Sequence, residues 1–160
     1  MIRFRALLIA AGALYTVWDV AANGLLTATE LADAVVEADL VIEAVPENID
    51  LKRRIFRQLG KITPSHTVLA TNSSSIPVSR LEDSSGRPER CLNLHFYMPL
   101  QGMNIVDVMG GTRTLPEVME MGISWVRSLG CIPLTVKKEL LGFCFNRVWR
   151  AIKREALYMW

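Results

Sequence analysis

The chain has 160 residues, of which 51% are hydrophobic and 21% charged, with a net charge of +2. That length suits one ordinary domain, and that composition excludes a disordered chain. The basic residues are scattered or lie on predicted helices (Lys52, Arg53, Arg54; Lys137, Lys138; Arg150, Lys153, Arg154), without the aromatic interleaving of a nucleic-acid arm, so no nucleic-acid partner is expected. The three cysteines, Cys91, Cys131 and Cys144, are widely spaced, with no CxxC or Cys/His cluster to hold zinc. They read as buried free thiols of a reducing cytoplasm.

At the start, Arg3 and Arg5 precede an apolar run through Ala13. The run is too short to cross a bilayer, which takes ~20 residues. Tyr15-Thr16-Val17-Trp18 is a poor signal-peptide cleavage site. A cytoplasmic protein with no membrane partner is expected. Residues 1–26 read as one helix-like segment with no complete βα unit. Thr27 or Thr29 then caps a helix through Leu31, Ala34 and Val35.

Residues 39–45 (DLVIEAV) are apolar over a short run, as in a strand buried on both faces of a parallel sheet. Pro46 ends it. Asn48 caps the next helix, where Glu47 and Asp50 suit the positive N-terminus. Leu51, Ile55, Leu59 and Ile62 recur near helical spacing and are expected to face the sheet. Residues 67–71 (TVLAT) form a second buried strand, completing a βαβ unit. Pro77 to Leu81 reads as one helical turn, and residues 91–96 (CLNLHF) as a third strand. A loop to Met103 leads to a fourth strand over residues 104–109, stopped by Gly110-Gly111. Pro116 opens a helix that runs to Leu129 and stops at Gly130. Residues 132–136 make a fifth strand. Residues 141–160 are helical, with Trp149, Ile152, Ala156 and Met159 on one face. That helix has no stop signal and ends in Tyr-Met-Trp, so the chain reads as cut at both ends.

Two places carry candidate chemistry. Ligands of parallel βαβ units sit beyond the C-terminal strand ends, which here read Ala44-Val45-Pro46-Glu47-Asn48 and Thr71-Asn72-Ser73-Ser74-Ser75. The second is either a polar wall of a crevice or a local ST-turn. His95 and Asp107 are the other place. If their strands pair antiparallel about Gln101-Gly102, the two residues lie opposite each other on one face. The acid would then hold the imidazole N–H and leave the other nitrogen as a general base. A structural histidine satisfied by its neighbour fits the same spacing.

The segments ADLVIEAVPENIDLKRRIF, ATNSSSIP, RPERCLNLHFYMPLQGMNIVDVMGG and GFCFNRV resemble the L-3-hydroxyacyl-CoA dehydrogenase family, in its order and near its spacing, over roughly residues 25–160. The resemblance implies an α/β fold: an incomplete Rossmann-type doubly wound sheet over 1–140, then the first helix of an all-α dimerisation domain over 141–160. It implies NAD as cofactor, an acyl-CoA substrate oxidised from 3-hydroxy to 3-keto as in fatty-acid β-oxidation, and a homodimer. By this match His95 is the base and Asp107 its partner. Ser74 bonds the substrate oxygen, and Asn146 is the asparagine of the G-F-x-x-N-R motif. Ala44, Glu47, Lys52, Asn72 and Ser74 line the cofactor. His66 matches no site residue and reads as structural.

Three departures stand out. Asp107 replaces the family's glutamate, withdrawing the carboxylate by about 1.5 Å, one bond length, unless the backbone shifts or a water bridges. Met98 replaces an asparagine and cannot donate a hydrogen bond. The family's GxGxxG turn and ribose-binding acid are missing: the run Leu7 to Leu14 superficially resembles a strand entering such a turn but has one glycine where three are needed. Residues 1–26 are therefore expected to match the helical segment between the complete domain's second and third strands. The fragment is expected to be inactive alone. Two other readings remain: a dehydrogenase of a non-CoA hydroxy acid, similar to lambda-crystallin-like L-gulonate dehydrogenases, and a non-catalytic assembly protein using the last helix.

Overall fold

The computed structural model describes residues 31–97 and 104–159 in full, and residues 5–10, 15–19 and 24–28 by their backbone. Its elements are β1 (Arg5–Ala10), β2 (Tyr15–Asp19), β3 (Gly24–Ala28), α1 (Leu31–Val35), β4 (Leu40–Ala44), α2 (Ile49–Ile62), β5 (Val68–Thr71), β6 (Cys91–Phe96), β7 (Ile105–Gly110), α3 (Pro116–Ser128), β8 (Ile132–Val136) and α4 (Phe145–Tyr158). Short 3₁₀ turns at Val78–Arg80, Glu82–Ser85 and Pro88–Arg90 link β5 to β6.

The strands form one mixed sheet in the order β3-β2-β1-β4-β5-β6-β7-β8. β4, β5 and β6 run parallel, β7 returns antiparallel to β6, and β8 lies parallel to β7. Side chains alternate across the sheet, so each strand feeds two cores. Leu40 and Ile42 join Leu92, Leu94, Val106 and Val108 beneath Val118, Trp125 and Val126 of α3. Val41, Leu69 and Cys91 face the other way, against Phe56 and Leu59 of α2 and Val35 of α1. Both faces are covered, as the unbroken apolar strands require, and the Rossmann-type α/β class holds.

The described residues before α1 differ from expectation. Where residues 1–26 read as a helical segment, the structure has three strands, with β1 antiparallel to β2 and β2 antiparallel to β3. β1 also lies parallel to β4. Two physical preferences favour this outcome. Tyr15, Thr16, Val17 and Trp18 are aromatic or β-branched and suit a pleated sheet, and the exposed edge of β4 offers backbone partners that a helix there would leave unpaired. Thr27 lies in β3 and so does not cap α1. Residues 11–14, where the sequence only superficially resembles a glycine turn, Thr29 as the alternative cap, and Met98 lie outside the described residues.

α2 starts as read, with Asn48 Oδ1 accepting from the backbone N–H groups of Asp50 and Leu51 at 3.0 Å each. Its inward face is rotated from the expected one. Lys52, Phe56 and Leu59 are buried, whereas Leu51, Ile55 and Ile62 are half-buried. The apolar spacing alone could not show that Lys52 turns inward to meet a carboxylate on β4. α4 begins at Phe145, four residues later than expected, because Gly142 (φ 80°) and Phe143 (φ 49°) take left-handed conformations that a helix excludes. Of the cysteines only Cys91 is buried, and burial pushes its thiol up to about 12; Cys131 is half-buried and Cys144 exposed. His66 sits at the surface, 3.4 Å from Asp39. Among the described residues no helix is long and apolar enough to cross a membrane, and no cluster of metal-ligating side chains occurs.

Candidate active site

Ala44, Glu47, Asn72, Ser74 and His95 lie at or just beyond the C-terminal ends of β4, β5 and β6, while Asp107 is on β7, Lys52 on α2 and Asn146 on α4. The link between β4 and α2 is a buried ion pair. Glu43 Oε1 accepts from Lys52 Nζ at 2.7 Å and from the Val45 N–H at 2.7 Å, while Oε2 accepts from the Thr71 hydroxyl at 2.9 Å. Lys52 also donates to the Val45 carbonyl at 3.0 Å and lies 3.3 Å from Glu47 Oε2. Three neighbours therefore occupy the three N–H bonds of an ammonium that is 1% exposed. Lys52 holds the loop after β4 in place, and Ala44 stands half-buried at its start.

Glu47 joins that loop to the next strand end. Its Oε1 accepts from the Ser73 hydroxyl in a short bond, from the Ser75 hydroxyl at 2.5 Å and from the Ser75 N–H at 3.2 Å. Partial burial raises the Glu47 carboxyl, but the Ser73 and Ser75 bonds and the Lys52 charge outweigh it and hold it below the ordinary value. Of the three consecutive serines, Ser73 and Ser75 are thus committed to Glu47. Ser74 is exposed and makes no side-chain hydrogen bond among the described residues. Asn72 Oδ1 accepts from the Phe96 N–H at 2.9 Å, which orients the amide and leaves its NH₂ donors without a protein partner among those residues. Asn93 Nδ2 donates to the Ser73 carbonyl at 3.2 Å and pins this loop to β6.

His95 and Asp107 are opposite each other in the β6–β7 register, as the loop midpoint required. Both are buried, and His95 Nδ1 lies 3.4 Å from Asp107 Oδ2. That separation is beyond the usual 2.7–3.2 Å of an N–H···O bond, in line with the withdrawn carboxylate. The same Oδ2 takes a short hydrogen bond from the Tyr97 hydroxyl, while Oδ1 is buried without a partner among the described residues. Burial, the bond to Asp107 and its charge push the Tyr97 phenol far up, so it stays a donor.

The imidazole is walled by aromatic rings. Tyr97 meets it edge-on at 4.5 Å between centroids and Phe143 lies tilted against it at 5.1 Å. Phe145 packs on Tyr97 at 4.9 Å. The left-handed backbone at Phe143, unusual for a large side chain, is what turns that ring onto His95. Asn146 follows in the first turn of α4, half-buried, with no side-chain hydrogen bond among the described residues.

Reasoning from the sequence did not single out Tyr97, Phe143 or Glu43. Tyr97 had a signal, because residues two apart on a strand share a face. The others had none: the reach from Lys52 to Glu43 and the positive φ at Phe143 are tertiary facts.

Polar side chains at two parallel strand ends, with a buried histidine–carboxylate pair on the neighbouring strands, are the arrangement by which Rossmann-type α/β domains receive ligands beyond their strand ends. The chain belongs to the 3-hydroxyacyl-CoA dehydrogenase family: the model of its NAD binding domain matches residues 11–140. The 5-formyl-3-hydroxy-2-methylpyridine 4-carboxylate 5-dehydrogenase of Mesorhizobium japonicum is 37% identical over 128 residues, 80% of this chain and 41% of that protein. Among solved structures, a diketoreductase described in terms of dual catalysis of dicarbonyl compounds superposes with a TM-score of 0.79 at 41% identity, over 81% of this chain and 46% of that one. The 3-hydroxybutyryl-CoA dehydrogenase of Escherichia coli superposes with a TM-score of 0.71 at 35% identity, over 80% of this chain and 28% of that one. This chain thus spans less than half the length of these relatives.

NAD is the cofactor of this domain family, and part of the crevice fits it. A carboxamide both accepts and donates hydrogen bonds, and the unpartnered Asn72 NH₂ and Ser74 hydroxyl supply complementary groups beside the small side chain of Ala44.

Proposed function

We propose that this domain oxidises a 3-hydroxyacyl-CoA to the 3-ketoacyl-CoA, with His95 as the base that removes the hydroxyl proton. The observation that carries the reading is the buried His95–Asp107 pair at a strand end, with Nδ1 turned to the carboxylate. That orientation leaves Nε2 as the nitrogen that takes the proton, and Asp107 stabilises the imidazolium that forms. Ser74 donates to the substrate oxygen and Asn146 orients the substrate from α4. Ala44, Asn72, Ser74 and the loop carrying Glu47 would line the cofactor, with Lys52 acting through that loop. Bound NAD would supply the acceptor for the hydride that leaves C3. The aromatic wall of Tyr97 and Phe143 excludes water from the imidazole.

Residues 141–160 fit the beginning of a helical domain through which two copies pair in the cytoplasm. Support comes from the exposed Val148, Trp149, Ile152 and Met159 on α4.

A second reading changes only the substrate. Relatives at 41% and 37% identity carry names that refer to dicarbonyl compounds and a pyridine carboxylate, which favours a hydroxy or carbonyl substrate without CoA. The test is NAD-linked turnover by the longest natural form of the protein on a panel of 3-hydroxyacyl-CoA thioesters and free hydroxy acids. His95→Gln should lower kcat by about 100- to 10,000-fold on the preferred substrate. Near-normal turnover of that variant overturns the base assignment, and a preference for free acids selects the second reading.

A further inference from the structure

We propose that Tyr97 is a positioning residue of the catalytic base, so that the proton-accepting unit is His95–Asp107–Tyr97, with the phenol setting how much of the carboxylate the imidazole receives. The proposal rests on the reading of His95 as the base. Asp107 Oδ2 receives both donors, the Tyr97 hydroxyl in a short bond and His95 Nδ1 at 3.4 Å, while Oδ1 receives none among the described residues. Two donors on one carboxylate oxygen divide its negative charge, and the closer one takes the larger share.

The register explains how they meet. His95 faces Asp107 across β6 and β7. Tyr97, two residues on, is diagonal to Asp107 and within reach of an aromatic side chain. A carboxylate one methylene longer would reach further toward the imidazole. The shortened acid and the phenol are therefore complementary: the aspartate leaves a gap toward His95, and the tyrosine anchors the carboxylate from the side. Through the Phe145 ring on Tyr97 and the Phe143 ring on His95, the start of α4 and the turn before it bear on both ends of this unit.

The test is NMR of the 160-residue chain labelled with ¹⁵N-histidine. The sequence holds two histidines, and His66, whose side chain is 59% exposed, serves as the internal reference. In Tyr97→Phe the oxygen is released to the imidazole, so the His95 Nδ1 proton should move downfield and exchange more slowly, with His66 unchanged. In an Asp107→Glu background the same phenylalanine substitution should shift the signal much less, because the longer acid already meets the ring. An unshifted His95 proton in Tyr97→Phe, or one that moves upfield and broadens while the other amide signals stay dispersed, overturns the proposal. Equal shifts in both backgrounds also overturn it. The readout needs no turnover, so a failure of the proposed activity on every substrate would leave this result standing on its own.

Discussion

Lys52→Met removes the ammonium from the Glu43–Lys52 pair, whose side chains are 0% and 1% exposed. Deleting one member of a buried pair strands the other charge in a low-dielectric site, at a cost of about 3–5 kcal/mol. Glu43 keeps the Val45 N–H and the Thr71 hydroxyl after the substitution, so the lower end, ~3 kcal/mol, applies. For a chain of this size that lowers Tm by about 6–12 °C, at roughly 2–4 °C per kcal/mol. Glu43→Gln leaves Lys52 with the Val45 carbonyl and Glu47 and should cost a similar amount. The double variant Glu43→Gln/Lys52→Met carries no stranded charge and should be much less destabilised than the sum of the two. Urea unfolding followed by tryptophan fluorescence measures all four proteins. Single costs under about 1 kcal/mol, or strict additivity in the double variant, would refute a tightly coupled buried pair. The consequence for function follows from Glu47, which the same ammonium helps to place: Lys52→Met should also loosen the Ser73–Ser75 loop.

Gly60 of α2 sits so close to the 3₁₀ turn at Glu82–Ser85 that an added Cβ would overlap the Ser85 carbonyl oxygen. Backbone cannot swing aside as a side chain can, so Gly60→Ala should destabilise by about 1–3 kcal/mol despite alanine's higher helix propensity; thermal unfolding at or above the parent Tm would contradict that contact. Glu47 supplies a pH dependence. Its carboxyl is held below the ordinary value of 4.5, against the opposing effect of burial, by Ser73, Ser75 and Lys52. A depressed carboxyl contributes stability above its unfolded-state value and loses it as pH falls through the folded-state value. Urea midpoints measured from about pH 6 to about pH 3 should therefore fall more for the parent than for Glu47→Gln, and parallel curves would remove Glu47 from the account.

Strand order and site residues were legible to different depths. β4 through β8 could be read because each is a short, mostly apolar run of strand rather than helix length, set between turn or capping residues. The pairing of His95 with Asp107 followed from counting residues about a loop midpoint. β1 to β3 were not legible. Their apolar residues fit helix and strand alike, and the deciding partner, the free edge of β4, is distant in the chain, with Ala6 opposite Leu40 and Ala10 opposite Ala44.

The amino-acid sequence by itself determined the doubly wound core, the Asn48 cap and the family to which the chain belongs, since these depend on local pattern and ordered motifs. Only the tertiary structure decided which of three adjacent serines stays available, which face of α2 turns inward, and that Tyr97 shares the oxygen His95 needs. Those outcomes turn on competition for a few buried acceptors among groups distant in sequence. A buried donor or acceptor must find a partner in three dimensions, and a one-dimensional pattern does not show which one wins.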